Sequence, residues 1–147
     1  MNPRRVVVEV SSTLRRMPLP AARTQKLVEL TMSAEKVKDA MVSISFVGTR
    51  AVARLNRDYL DHAGPTDVIS FGMKRDNSTS AVVGDIYICP EVAARNAKRL
   101  KISLRQELER LVVHGCLHVV GHDHPEGESR TSSPMWRKQE TILARAR

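Results

Sequence analysis

The segment His114-Gly115-Cys116-Leu117-His118-Val119-Val120-Gly121-His122-Asp123-His124 constrains this chain more than any other feature. His114 and His118 stand four residues apart in a run, residues 111–120, that is apolar apart from its histidines and Gly115. On a helix that spacing projects both imidazoles from one face, about one turn apart. Gly121 accepts the backbone conformation that ends a helix and turns the chain back, so His124 returns toward the first two. A lone buried histidine is ordinarily a hydrogen-bonded core residue. Here four of the chain's five histidines fall within eleven residues around a helix-ending glycine. They point to one zinc ion held by His114, His118 and His124, with the fourth tetrahedral position left to water, as in catalytic sites. His122 falls elsewhere on the turn and is a candidate ligand or proton shuttle. Asp123 is a candidate general base, or a carboxylate that fixes the tautomer of a ligand histidine.

The ligand spacing equals that of the metzincin zinc proteases, with ligands at positions 1, 5 and 11 and glycine at 8. The glutamate that activates water in those enzymes, at position 2, is here Gly115. The ligand cage is therefore shared while peptidase chemistry is disfavoured, which leaves a zinc peptidase as a remote alternative.

The surrounding pattern predicts an α+β domain, a small mixed β-sheet covered by helices with the metal helix at its centre. Strands are expected at residues 6–10, 42–46 and 67–71, and at 81–89 with an interruption at Gly84. Helices are expected at 21–32, in a segment capped by Thr49 that carries Val52, Leu55 and Tyr59, in a basic segment opened by Pro90, and at 134–144. Ser103 and Gln106 form the signature of a capping box at the start of the metal helix. With no repeat or long linker, residues 1–147 read as a single metallohydrolase domain.

Two cysteines, Cys89 and Cys116, are too few for a secreted disulfide framework and fit a reducing, cytoplasmic setting. Cys116 sits in the apolar run, where a thiol acts as a small hydrophobe. The N-terminus lacks the pattern of a secretory signal, and no membrane partner is expected. A net charge of +8 and a pI near 10.1 favour a polyanionic partner. The five aromatics, Phe46, Tyr59, Phe71, Tyr87 and Trp136, are too few for a platform of stacked bases, so contact with RNA would run mainly through phosphates. Arg57, Lys98, Arg99, Lys101 and Arg105 are the candidate RNA-binding residues.

Taken together, these segments resemble the YbeY family of bacterial endoribonucleases. The resemblance rests on HGCLHVVGHDH at 114–124, which matches the family's H-G-x-L-H-x-x-G-x-D-H, and on PTDVISF at 65–71. It extends through LNRDYL at 55–60 and GDIYI at 84–88 to Met135, Glu140 and Leu143 in the closing helix. It implies a zinc-dependent endonuclease selective for single-stranded RNA, with His114, His118 and His124 as the ligands. It further implies a role in ribosomal RNA maturation, at the small-subunit 3′ end, and in ribosome quality control, with ribosomal RNA and the ribosome or its proteins as partners. Thr66, Asp67 and Ser70 map to a strand entry that shapes the cleft wall. One position departs from the family pattern: where L-N-x-x-Y-R ends in an arginine thought to contact phosphate, this chain has Leu60. Leucine cannot stabilise charge building at phosphorus. Arg57 could take over that contact. The departure also keeps open a non-catalytic assembly factor that binds RNA around a structural metal.

Overall fold

Alternating apolar and polar residues build the sheet, α4 lies buried against it, and α1, α3 and α5 pack around α4. In the computed structural model, which describes residues 5–77, 79–124 and 131–147, the elements run in the expected order. They are β1 (Arg5–Ser12), α1 (Ala21–Ala34), β2 (Asp39–Phe46), α2 (Thr49–Leu60), β3 (Val68–Gly72), β4 (Val82–Ile88), α3 (Pro90–Leu100), α4 (Leu104–Val120) and α5 (Pro134–Arg145). The strand order is β1-β2-β4-β3, with β1, β2 and β4 parallel and β3 antiparallel at one edge. The fold is therefore the α+β arrangement with a mixed sheet that the sequence pattern predicts.

The pleat divides the side chains between two faces. Val42, Ile44, Phe46, Ile86 and Ile88 are buried in the main core with Leu27, Val28 and Met32 of α1 and Leu108, Val112 and Leu117 of α4. A smaller cluster on the opposite face joins Val52 and Leu55 of α2 to Ile69, Phe71 and Tyr87. α4 packs against α1, α3, α5, β3 and β4 at once, and every residue from 111 to 117 along it is buried. That position explains why its sequence is apolar on all sides.

Two local expectations are corrected. Gly48, not Thr49, is the N-cap of α2, and no side chain caps that end; Thr49 is already the first helical residue. Nor does Gly84 interrupt its strand, because β4 pairs continuously through it, with Val42 on one side and Gly72 on the other. Its purpose lies across the sheet. A Cβ at Gly84 would stand 2.5 Å from Val119 Cγ1 and 2.8 Å from Phe71 O, and one at Gly72 would stand 3.1 Å from Val119 O. On the helix side, a Cβ at Gly115 would meet Ile86 Cγ2 at 2.8 Å and Ser70 Oγ at 3.2 Å. Three glycines thus let α4 lie directly on β3 and β4, closer than side chains would permit.

α1 and α4 are also clamped by charge. Arg23 Nε and Nη2 donate to Glu109 Oε2 and Oε1, both at 3.0 Å, a two-pronged pair shielded from most solvent. The Arg23 hydrogen bond holds the Glu109 carboxyl below its ordinary range, against the opposing effect of burial. A depressed carboxylate contributes stability that is complete above its unfolded value and is lost as pH falls through the folded one. The difference in chemical-denaturation stability between wild type and Arg23→Gln should therefore be largest near neutrality, roughly 1–3 kcal/mol. It should shrink in acid below the ordinary carboxylate range; a constant difference would show that the pair does not titrate with folding.

Candidate metal centre

The site begins with a helix whose two ends are fixed by local chemistry. Ser103 Oγ accepts from the Gln106 backbone N–H at 3.0 Å, and the Gln106 side chain accepts from the Ser103 N–H at 2.9 Å, so the predicted capping box forms. At the other end Gly121 adopts φ +126°, a value that side-chain-bearing residues resist. Its N–H donates to His118 O at 3.0 Å and the His122 N–H donates to Leu117 O at 2.9 Å, the paired bonds of a Schellman motif. This turn carries His124 back over the helix.

The result is a triangle of imidazoles. His114, His118 and His124 each offer a ring nitrogen within 4.8 Å of the others, with ring centroids 4.7 to 5.0 Å apart. Two of the rings are oriented by the protein. His118 Nδ1 lies 2.9 Å from the carbonyl oxygen of His122; a carbonyl can only accept, so this nitrogen carries the proton. His114 Nδ1 lies 2.7 Å from Gln139 Oε1. The Gln139 amide donates its own N–H to Glu140 Oε2 at 3.1 Å, which leaves Oε1 as an acceptor and Nδ1 of His114 as a donor. Nε2 is then the unprotonated nitrogen of each ring, and the two face each other at 3.1 Å. Two lone pairs that close repel unless something positive lies between them. Tetrahedral zinc with imidazole at about 2.0–2.1 Å sets its nitrogens roughly 3.3 Å apart, so the donor set fits a divalent cation.

The remaining expected residues occupy distinct places. Asp123 is almost wholly exposed, with Oδ1 3.7 Å from His118 Nδ1, and it lines the metal cleft with Leu60, Thr66, Asp67 and Ser70. Ser70 Oγ is buried there with no hydrogen-bond partner among the described residues. Asp67 is more than a wall: it receives the Val68 N–H at 2.8 Å and the Asn96 amide at 2.9 Å, tying β3 to α3. His122 turns away from the triangle to pair with Glu35 at the end of α1, and Lys138 of α5 holds the other Glu35 oxygen at 2.8 Å. Burial alone would raise the Glu35 carboxyl, but the hydrogen bonds from Lys138 and His122 outweigh it and hold the group below its ordinary range. Cys116 packs in the main core, where burial pushes its thiol up to about 12, in keeping with its reading as a small hydrophobe.

The basic residues are dispersed. Arg57 is exposed, pairs with its neighbour Asp58 at 3.0 Å and is not among the described residues that line the cleft. Arg99 borders an adjoining cavity and donates to Asn96 at 3.2 Å. Arg105 is committed to Glu109 at 3.2 Å, while Lys98 and Lys101 are exposed at the C-terminal end of α3. Sequence reasoning passed over Arg50 and Arg54, which with Arg57 form an exposed i, i+4, i+7 stripe on α2.

Sequence reasoning also missed Gln139, which is fully buried between Met135 and Ile142 on the apolar face of α5. Its signal was available: a polar residue at the i+4 position of an apolar stripe needs a partner inside. Gln139→Leu should weaken metal binding about 10- to 100-fold, while Gln139→Glu, which keeps an acceptor, should weaken it less. Competition with a chromophoric chelator measures both. Equal affinity of wild type and Gln139→Leu would show that the contact does not orient His114.

Comparison with known proteins gives a consistent result. The family described as Endoribonuclease YbeY matches residues 13–147. A protein of that name from Geobacter metallireducens is 33% identical over 93% of each chain. Its namesake from Nocardioides sp. is 34% identical over 86% of this chain and 89% of its own. Among solved structures, TM1509 from Thermotoga maritima superposes with a TM-score of 0.63 at 22% identity, covering 95% of this chain and 89% of that one, which supports the fold.

Proposed function

Since the chain belongs to the Endoribonuclease YbeY family, we propose that it is a single-domain, zinc-dependent endoribonuclease that cuts single-stranded RNA during ribosomal RNA maturation and ribosome quality control. The observation that carries the metal-dependent part is the convergence of three imidazoles, with the unprotonated Nε2 atoms of His114 and His118 3.1 Å apart and His124 closing the triangle. When bound, the cation supplies Lewis-acid chemistry and lowers the pKa of water at an open position.

The chain's own residues do the rest. His122 O and Gln139 Oε1 hold two ligand rings in the tautomer that aims Nε2 inward. Asp123, exposed at the cleft mouth, is better placed to accept a proton from water than His122, which is engaged by Glu35. Lys98, Lys101 and the α2 arginine stripe attract the RNA backbone, with a salt-sensitive contribution from each phosphate contact. No helix among the described residues is long and apolar enough to cross a membrane, and the reading places the enzyme in the cytoplasm with the ribosome.

A second reading is favoured by one observation. Leu60 lines the cleft where the family pattern has arginine, which suits an assembly factor that binds RNA without cutting it. The same experiment separates the two. Zinc-loaded protein and His114→Ala are incubated with single-stranded ribosomal RNA over a range of salt. Cleavage by wild type alone supports the enzyme. Salt-dependent binding without cleavage under any divalent metal supports the assembly factor. Equal cleavage by both proteins identifies a contaminant and removes the catalytic reading.

A further inference from the structure

A second cavity, of about 390 Å³, adjoins the metal cleft and shares Thr66, Asp67 and His114 with it. Its walls differ from those of the cleft. Val92, Leu100 and Leu111 supply apolar surface, and the Trp136 ring lies beside them with the Arg110 guanidinium carbon 5.3 Å from its centroid. Both flat groups line the cavity. Glu107 also lines it, only 4% exposed and paired with Arg110 at 3.4 Å. Apolar surface, two planar groups and several polar side chains in one cavity suit a flat, uncharged heterocycle with hydrogen-bonding edges. Two arginines, Arg99 and Arg110, and two carboxylates, Asp67 and Glu107, share the wall, so it offers no excess positive charge to hold an anion.

We propose that this cavity receives one unpaired nucleobase of the RNA strand, stacked on Trp136 or on the Arg110 guanidinium, next to the phosphate presented to the metal centre. The inference rests on the RNA reading above and deepens it. A paired base lies inside its duplex and cannot enter such a cavity without being extruded. The cavity therefore gives a physical cause for selectivity toward single strands. It also refines the expectation drawn from the scarcity of aromatics: to the phosphate contacts expected in place of a stacking platform it adds a single stacking position.

Trp136 is the chain's only tryptophan, so its fluorescence reports on this cavity alone. The zinc-loaded full chain is titrated with the four nucleoside monophosphates, with ribose 5-phosphate and with N-acetylphenylalaninamide. At least one nucleotide should quench saturably, and ribose 5-phosphate should not. Quenching by the sugar phosphate equal to that by every nucleotide, or quenching by the phenylalanine derivative alone, overturns the proposal; the latter outcome would make this a peptide side-chain pocket.

A cleavage experiment gives a second readout. Single abasic residues are placed at each position flanking the cut in a single-stranded RNA. One position should lower kcat/KM roughly ten-fold or more, the range expected for loss of a stacked base. Trp136→Ala should lower the rate on intact RNA yet cause little further loss on that abasic RNA, as expected for two changes that remove one contact. Trp136→Phe, which keeps a ring, should recover most of the activity. Equal losses on intact and abasic RNA overturn the proposal. Failure of the cavity and failure of the enzyme are distinguishable. Nucleotide quenching without RNA cleavage retains the cavity and removes the nuclease, while cleavage with neither quenching nor an abasic penalty does the reverse.

Discussion

His118→Ala should bind divalent zinc far more weakly than wild type, by more than the roughly 100-fold that loss of an orienting contact costs, and should show no metal-dependent RNA cleavage. The expectation follows from the geometry of α4. His118 supplies one of two Nε2 lone pairs only 3.1 Å apart, and its Nδ1 proton is fixed by the His122 carbonyl. Removing the ring leaves two imidazoles, and the turn that brings His124 loses a hydrogen bond that ties it to the helix. The fold should survive, because His118 is partly exposed and the core beneath α4 is built from Leu117, Val112 and Leu108. Calorimetric zinc titration beside circular dichroism tests both halves. A variant that keeps wild-type affinity would place the cation elsewhere, and one that unfolds would show that the histidines are structural.

Gly115→Glu should be the most destructive single change for folding. The substitution restores the metzincin glutamate by sequence, but the position is not free to receive it. A Cβ there already stands 2.8 Å from Ile86 Cγ2 and 3.2 Å from Ser70 Oγ. The longer side chain would force α4 off the sheet or bury an unpaired carboxylate against it. Overpacking alone costs roughly 1–3 kcal/mol, and a buried unpaired charge adds several more. Against a typical total stability of about 5–15 kcal/mol, a loss of that size leaves the fold marginal, so a steep fall in the denaturant midpoint is expected. Gly115→Ala calibrates the effect: its gain of up to about 1 kcal/mol in helix propensity partly offsets the contact with Ile86, so a modest loss is expected. Denaturant melts of the two variants measure this. A stable, folded Gly115→Glu would show that the sheet yields, and would reopen the peptidase alternative. In the packed structure the missing glutamate is a packing requirement as much as a chemical difference.

Much of this was legible in the chain because short-range signals carry it. The capping box at Ser103 and Gln106, the glycine at 121 and the i, i+4 histidines each encode their geometry within a few residues, and the structure assembles them as read. What was hidden depends on partners distant in sequence. Gly84 looked like a strand break because its role, admitting Val119 of α4, lies on another element. Thr49 looked like a cap because its residue type suits one, although the chain enters the helix one residue earlier at Gly48. Glu35 and Lys138, which draw His122 away from the triangle, come from α1 and α5. So does Gln139, which orients His114 from α5. Spacing shows which histidines can meet; only the packing of α1 and α5 against α4 shows which of them are aimed, and by what.

A metal-loaded crystal structure with anomalous scattering at the zinc edge would locate the cation directly. One cation is expected, bound through Nε2 of His114 and His118 and a ring nitrogen of His124 at about 2.0–2.1 Å, with the fourth position held by solvent. A cation on other residues, coordination through Nδ1 of His114 or His118, or a fourth protein side chain closing the coordination would contradict it.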